Sequence, residues 1–135
     1  MADKLHFSLV SPARELFAGA VDHVIAPGTE GEFGVLANHA PFMTTLKNGV
    51  VRVLEGDAVK KRFYVRGGFA DVTPAGLTIL AEEARDLSDV TADLVNGEAE
   101  ALKLKLLALD PADTKRVALE HQLAYLEGLR GALAS

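Results

Sequence analysis

The feature that most constrains the fold of this chain is a change in residue pattern near Ala81. Nine of the twelve glycines lie before residue 80, together with most of the β-branched and aromatic residues, which is typical of short strands separated by turns. After Ala81 the apolar residues recur at helical spacing. The sequence therefore predicts an α+β fold, with an N-terminal antiparallel β-sandwich over residues 1–84 and a C-terminal antiparallel two-helix hairpin over residues 85–135.

The first region contains nine segments with strand-like composition. The turn signals between them favour an antiparallel sandwich or barrel over βαβ units. The firmest hairpins are those around Gly56 and Gly76, because each supplies the glycine that a tight reversal needs. The predicted strands cover residues 5–10, 14–17, 20–26, 31–36, 42–46, 50–55, 58–66, 68–73 and 77–81.

The second region contains two apolar stripes separated by the sequence Asp110-Pro111-Ala112-Asp113. Asp110 can cap a helix and Pro111 suits its first position, so the second helix is predicted to begin there. Two such helices bury only one face against each other, so the sandwich or a partner must cover the rest. The stripes are Val95, Ala99, Leu102, Leu106 and Leu109, then Leu119, Leu123, Leu126 and Leu133.

Composition excludes several classes of function. The net charge of −5 argues against nucleic acid, since phosphate binding depends on Lys and Arg. The chain has no cysteine, so neither a disulfide framework nor a thiolate metal site can form. No apolar run approaches a membrane span or a cleaved leader, so we expect a soluble, uncleaved chain whose membrane association comes through partners.

Candidate chemistry in the sequence is sparse. The four histidines, His6, His23, His39 and His121, show no metal-ligand spacing, and we predict no metal site. No serine, histidine and carboxylate stand in a recognisable catalytic relation. Gly28, Gly31 and Gly34 match neither a Walker loop nor a dinucleotide fingerprint, so they are interpreted as turn glycines. His39 is either a locally hydrogen-bonded turn residue or a partner contact, and Glu30 and Glu32 are by themselves consistent with solvated loop carboxylates.

The segment over residues 28–53 carries a family resemblance. It reads GTEGEFGVLANHAPFMTTLKNGVVRV and resembles the core pattern of the epsilon subunit of bacterial and plastid ATP synthases. That pattern is Gly-Glu-x-Gly, two hydrophobic residues, two unspecified residues, His-Ala-Pro and then a glycine-centred hairpin. The matching residues are Gly31, Glu32, Gly34, Val35, Leu36, His39, Ala40, Pro41 and Gly49.

The resemblance implies a non-catalytic central-stalk subunit of a proton-translocating rotary ATP synthase. Such a subunit binds the gamma subunit and the c-ring and couples ring rotation to ATP synthesis, with the alpha and beta subunits as further partners. It would lie at the cytoplasmic face of the bacterial inner membrane, held there by the complex. The resemblance also implies that Glu30, Glu32 and His39 are candidate contacts with the c-ring and gamma.

The resemblance further bears on regulation by the helical hairpin. The family's ATP-binding pattern falls at Ser88, Asp89 and Ala92, where Ser88 replaces an aliphatic residue and Ala92 replaces an arginine. Because the arginine would contact phosphate through charge-assisted bonds, we predict that the chain binds no ATP or other cofactor. The last helix mixes basic and acidic residues, so we predict weak or absent inhibition of ATP hydrolysis. The alternative function is a small-molecule-binding sandwich with a helical lid.

Overall fold

A computed structural model describes residues 3–134 of the 135-residue chain. The chain divides into two compact units between Asp89 and Val90. The first unit is built from strands and the second from two helices. The α+β class, with a sandwich followed by a helical hairpin, is confirmed. Residues 1, 2 and 135 of the predicted domains lie outside the described part.

The first unit contains ten strands in two five-stranded sheets. The strands are β1 Leu5–Val10, β2 Glu15–Val21, β3 His23–Gly28, β4 Gly31–Leu36, β5 Phe42–Thr45, β6 Gly49–Glu55, β7 Ala58–Arg66, β8 Phe69–Thr73, β9 Gly76–Leu80 and β10 Glu83–Asp86. The strand order is β2-β1-β9-β8-β5 in one sheet and β10-β7-β6-β3-β4 in the other.

Within the described sheets every neighbouring pair is antiparallel except one. β1 and β9 run parallel, from Phe7 opposite Leu77 to Val10 opposite Leu80. That parallel contact joins the β1–β2 hairpin to the β8–β9 hairpin, so the two hairpins share one sheet. The inward faces of the two sheets then meet in a continuous apolar core.

The core is made by the alternating inward residues of both sheets. Phe7 and Leu9 on β1, and Val51 and Val65 on β6 and β7, have no exposed side-chain surface. Phe17 stacks between the sheets, with its ring 5.6 Å from Phe7 and 6.1 Å from Phe63. This burial of apolar surface is the main stabilising contribution to the sandwich.

Two strand predictions are wrong in detail. The segments predicted at residues 14–17 and 20–26 break at Gly19, whereas the structure continues β2 to Val21 and changes sheet at Asp22. The backbone N–H of Asp22 donates to Leu54 of the opposite sheet at 3.3 Å, which marks the crossing. β10 was not predicted, because its sequence Glu-Ala-Arg-Asp has no strand character; it forms by pairing with β7.

The end of the first unit includes a single 3₁₀ turn, Leu87–Asp89. The predicted boundary between residues 84 and 85 falls inside β10, whereas the structural division follows Asp89. Leu87 is only 6% exposed, so the turn is packed into the sandwich unit. Residues 87–89 therefore belong to the sandwich unit.

The second unit is an antiparallel pair of helices, α1 Ala92–Ala108 and α2 Lys115–Leu133. The Thr91 hydroxyl caps α1 by accepting from the Leu94 N–H at 3.2 Å. Arg130 near the end of α2 donates to Asn96 near the start of α1 at 3.2 Å, as an antiparallel arrangement requires.

The predicted start of α2 at Pro111 is wrong. Asp110 accepts from the Ala112 N–H at 2.9 Å, and Asp113 accepts from the Lys115 N–H at 2.8 Å. These carboxylates form local turns that compete with the helix. The helix therefore begins four residues later, at Lys115.

Candidate partner-binding surface

The hairpin between β3 and β4 carries the first two candidate residues. Gly28 pairs with Gly31, which leaves Thr29 and Glu30 as the two turn residues. Gly31 has φ of 130°, a conformation that suits glycine. Thr29 bonds to β5 of the other sheet, through its N–H to the Thr45 oxygen at 3.1 Å and between the two hydroxyls at 2.9 Å. Glu30 is therefore presented from a turn fixed to both sheets.

The two carboxylates of this hairpin differ in their surroundings. Arg52 on β6 reaches across β3 and places Nη2 3.0 and 3.1 Å from the two carboxylate oxygens of Glu32. The Glu32 side chain remains 55% exposed. Glu30 has no ion-pair or hydrogen-bond partner within residues 3–134. Glu32 is thus held and partly neutralised, while Glu30 presents an unpaired negative charge.

His39 lies in the loop between β4 and β5. Its N–H donates to the Leu36 carbonyl at 3.3 Å, after Asn38 with φ of 63°. Its Nδ1 lies 2.7 Å from the Ala40 carbonyl oxygen, and since a carbonyl only accepts, Nδ1 carries the proton. The His39 ring is 6.3 Å from that of Phe42. His39 is therefore a locally bonded turn residue, and it is also exposed.

The structure separates these candidates. Glu30 precedes β4 and His39 follows it, and a strand of six residues is about 17 Å long. We call the end of the sandwich with Glu30 the turn end, and the end with His39 the loop end. Glu30 and Glu32 share the turn end region, and His39 does not join them. A single contact with a small partner loop could not include all three.

The turn end also presents an apolar patch that the sequence analysis missed. Met43, Phe69 and Leu80 are 64%, 38% and 40% exposed. Phe69 pairs with Leu80 on β9 and with Thr45 on β5, so the patch runs across neighbouring strands. A depression of about 420 Å³ lies between Phe69, Leu80 and Pro12. The sequence did contain a signal for this patch. Phe69-Ala70 and Ile79-Leu80 are pairs of consecutive apolar residues, so both faces of each strand are apolar there.

At the loop end, Lys4 forms ion pairs with two carboxylates. Lys4 Nζ lies 2.6 Å from Asp22 and 2.9 Å from Glu55, and the Gly56 N–H donates to Asp22 at 2.6 Å. Hydrogen bonds from Lys4 and then Gly56 lower the pKa of Asp22 below its usual range. The bonds to Asp22 and Glu55 raise the pKa of Lys4. These groups hold the first strand to the β6–β7 hairpin.

The positions of the degenerate ATP pattern have local structural roles. The N–H and hydroxyl of Ser88 donate to Asp86 at 2.9 and 2.7 Å, and Lys61 Nζ bonds the other oxygen at 2.8 Å. Burial works to raise the pKa of Asp86, but these hydrogen bonds lower it overall. Asp89 ends the 3₁₀ turn, and Ala92 is the first residue of α1. Ala92 offers no cation to a phosphate.

Metal-ligating clusters and membrane-spanning helices are both absent from residues 3–134. Over residues 3–134, no group of three or more histidine or acidic side chains is arranged to hold a metal ion. Neither described helix combines the length and the apolar character that a membrane span requires.

Comparison with known proteins decides the family. The family model described as ATP synthase, Delta/Epsilon chain, beta-sandwich domain matches residues 4–86. The chain belongs to the ATP synthase delta/epsilon chain family. It is 82% identical to the ATP synthase epsilon chain of Hyphomonas neptunium over 135 residues, covering all of both chains. It is 48% identical to that of Parvibaculum lavamentivorans over 130 residues, covering 96% of this chain and 98% of the relative.

Solved structures agree with this membership. A chain in the cryo-EM structure of the Euglena gracilis mitochondrial ATP synthase, with OSCP, F1 and c-ring, matches with a TM-score of 0.73 and 26% identity. The match covers 98% of this chain and 83% of that chain. The resemblance drawn from residues 28–53 is therefore confirmed. Epsilon-family chains are subunits of the ATP synthase central stalk and are not its catalytic subunits.

Proposed function

We propose that this chain is the epsilon-type rotor subunit of a proton-translocating bacterial ATP synthase, coupling c-ring rotation through gamma to ATP synthesis. The observation that carries the proposal is the end-to-end match, at 82% identity, with an ATP synthase epsilon chain. The subunit transmits torque and performs no chemistry. It lies at the cytoplasmic face of the inner membrane and is attached there through gamma and the c-ring.

The two ends of the sandwich suit two different contacts. Glu30 and Glu32 at the turn end are proposed to meet the polar loops of the c-ring, with Glu30 supplying the unpaired charge. His39 at the loop end is proposed to contact gamma. The separation of about 17 Å along β4 supports this division, because each partner can then occupy its own end of one rigid sandwich.

The hairpin is proposed to inhibit ATP hydrolysis weakly or not at all. Its arginines are engaged within the helical unit. Arg116 donates to the Leu106 carbonyl at 2.7 Å and lies 3.4 Å from Glu120, and Arg130 bonds Asn96. The remaining cations of the unit are the exposed Lys103, Lys105 and Lys115, and Lys103 lies 4.0 Å from Glu100, so the helices carry no strongly basic surface for an acidic region of the catalytic head.

The test is reconstitution of membrane vesicles that carry an ATP synthase depleted of its own epsilon subunit. Added chain should restore ATP-driven proton pumping and co-purify with gamma in a stoichiometric complex. Failure of both, together with binding of a metabolite by the isolated chain, would instead support the small-molecule-binding module.

The interface assignment needs a second experiment in the same vesicles. The double variant Glu30→Gln and Glu32→Gln should lower proton pumping per ATP hydrolysed while gamma still co-purifies. His39→Ala should weaken co-purification of gamma. Asp93→Asn, an exposed carboxylate in the first turn of α1 and outside the sandwich, is the control and should change neither. Equal behaviour of all three variants would contradict the division between the two ends.

A further inference from the structure

Arg52 occupies a strand position that the stability of the sheet does not favour. It lies opposite Arg62 on β7, and like charges directly opposite each other destabilise a sheet. Its ion pair with Glu32 joins side chains that are 35% and 55% exposed, and exposed pairs contribute little to stability. The pair therefore needs an explanation other than the stability of the sandwich.

The arginine reaches its carboxylate diagonally across β3. Arg52 lies opposite Ile25, whereas Glu32 lies opposite Pro27, two residues further along the same strand. Positions two apart lie on the same face of a strand. The position of β4 directly in line with Arg52 is Gly34, which is also opposite Ile25 and has no side chain. The guanidinium therefore extends toward the turn end to meet Glu32.

The contact orients the carboxylate as well as partly neutralising it. Nη2 of Arg52 lies 3.0 and 3.1 Å from the two oxygens of Glu32, so both oxygens are restrained. A carboxylate has about four acceptor lone pairs, and this contact uses two of them. The others belong to a side chain that is 55% exposed. Glu32 is thus held in one orientation and still accessible to a further donor.

A side chain that is held before binding makes binding less costly. A mobile glutamate loses rotamer freedom when a partner immobilises it, and that loss weakens the complex. Arg52 already restricts Glu32 in the free chain, whereas Glu30 has no such restraint within residues 3–134. Of the two acidic candidates at the turn end, Glu32 is therefore the one prepared for a directional hydrogen bond.

We propose that Arg52 is a positioning residue for the c-ring contact, presenting the oriented Glu32 carboxylate to an N–H or O–H donor on the polar loops of the ring. The inference rests on the proposed function, because it requires the turn end to meet the c-ring. Orientation and charge make opposite predictions for the loss of Arg52. If Glu32 acted by charge alone, removing the neighbouring cation would strengthen its attraction to a positive group. Because Glu32 acts through its orientation, removing Arg52 weakens the contact.

The first test measures proton pumping by the epsilon-depleted vesicles against the concentration of added chain. Arg52→Gln should raise the concentration that half-restores pumping by about two- to ten-fold, as expected for one side chain that must be immobilised on binding. Lys105→Gln removes the same charge at an exposed position of α1, outside the sandwich, and should leave that concentration unaltered. An unchanged or lowered concentration for Arg52→Gln would overturn the inference alone. Failure of the wild-type chain to restore pumping would overturn the proposed function and the inference with it.

The second test separates positioning from a direct contact and from a structural role. In a Glu32→Ala background, Arg52→Gln should have no further effect, because Arg52 acts through Glu32; additive losses would show that Arg52 itself contacts the ring and would overturn the inference. The exchanged chain, with both Arg52→Glu and Glu32→Arg, keeps an ion pair but moves the carboxylate to β6. It should unfold at a urea concentration close to that of the wild type and still pump poorly. Full pumping by the exchanged chain would show that the pair is only structural.

The restraint on Glu32 is also measurable in the free chain by NMR. Three-bond couplings of the Glu32 side chain should report one dominant rotamer in the wild type and averaging among rotamers in Arg52→Gln. The Glu30 side chain should be averaged in both chains. Averaging of Glu32 in the wild type would overturn the inference and leave the proposed function standing.

Discussion

Replacement of Gly68 by alanine should destabilise the sandwich severely. Gly68 has φ of 103°, and an added Cβ would lie 2.0 Å from the Leu80 oxygen and 2.8 Å from the Ala81 Cα. Both obstacles are backbone atoms of the chain leaving β9, so no side-chain rotation can relieve the contact. The adjacent Gly67 has φ of 54°, and its nearest obstacle is 3.9 Å away. The two glycines therefore provide a matched pair with different steric surroundings.

The loss of unfolding free energy expected for Gly68→Ala has two contributions. A non-glycine residue in a sparsely populated backbone region costs about 1–3 kcal/mol, and overpacking that shifts the backbone adds about 1–3 kcal/mol. Gly68→Ala should therefore lower the free energy of unfolding by about 2–6 kcal/mol. Gly67→Ala bears only the left-handed conformation, which costs about 1–2 kcal/mol. A single domain has only about 5–15 kcal/mol of stability, so the first variant should lose much of it.

The assay is urea unfolding followed by two-dimensional NMR, because resolved resonances report the sandwich and the helices separately. The unfolding midpoint of sandwich residues should fall much further for Gly68→Ala than for Gly67→Ala. Resonances of α1 and α2 report whether the loss is confined to the first unit. Equal losses for the two variants would refute the steric argument.

Three further predictions concern charge and the hairpin. The pKa values of Asp22 and Asp86 are lowered, so their stabilising effect is complete above about pH 4 and is lost as the pH falls further. Asp22→Asn and Asp86→Asn should each reduce the loss of unfolding free energy that the protein shows on acidification. An unchanged loss in both variants would contradict this. Arg52→Gln should change the free energy of unfolding by less than about 1 kcal/mol in urea titration, since exposed pairs contribute little; a loss above about 2 kcal/mol would refute it. Truncation after Asp89 should alter ATP hydrolysis by the reconstituted head less than about two-fold, whereas several-fold activation would show an inhibitory hairpin.

The strands with regular alternation could be predicted from local sequence, and the sheet crossing could not. Gly19 resembles a break in the pattern, yet it lies inside β2, opposite Phe7. The crossing occurs at Asp22, where the bonds to Leu54 and Gly56 come from a distant hairpin. Bonds between residues more than 30 positions apart leave no local periodicity to read.

The same limit explains β10 and the candidate site. Glu83–Asp86 is a strand because the edge of β7 is available, with Ala84 opposite Val65. Glu32 could be chosen from its motif, but its bond with Arg52 depends on the pairing of β3 with both β4 and β6. The exposed leucines of α1 were visible in the sequence, but only the hairpin geometry shows which of its apolar faces is left uncovered.

The sequence by itself determined the α+β class, the order of sandwich and hairpin, and the family. Turn glycines and residue periodicity are local properties, and the segment over residues 28–53 carries a specific motif. Only the tertiary structure decided that Thr29 ties the Glu30 turn to β5 of the other sheet, that Arg52 holds Glu32, and that α1 keeps a second apolar face. These facts depend on which distant segments pair, and that choice is made by packing of the whole unit.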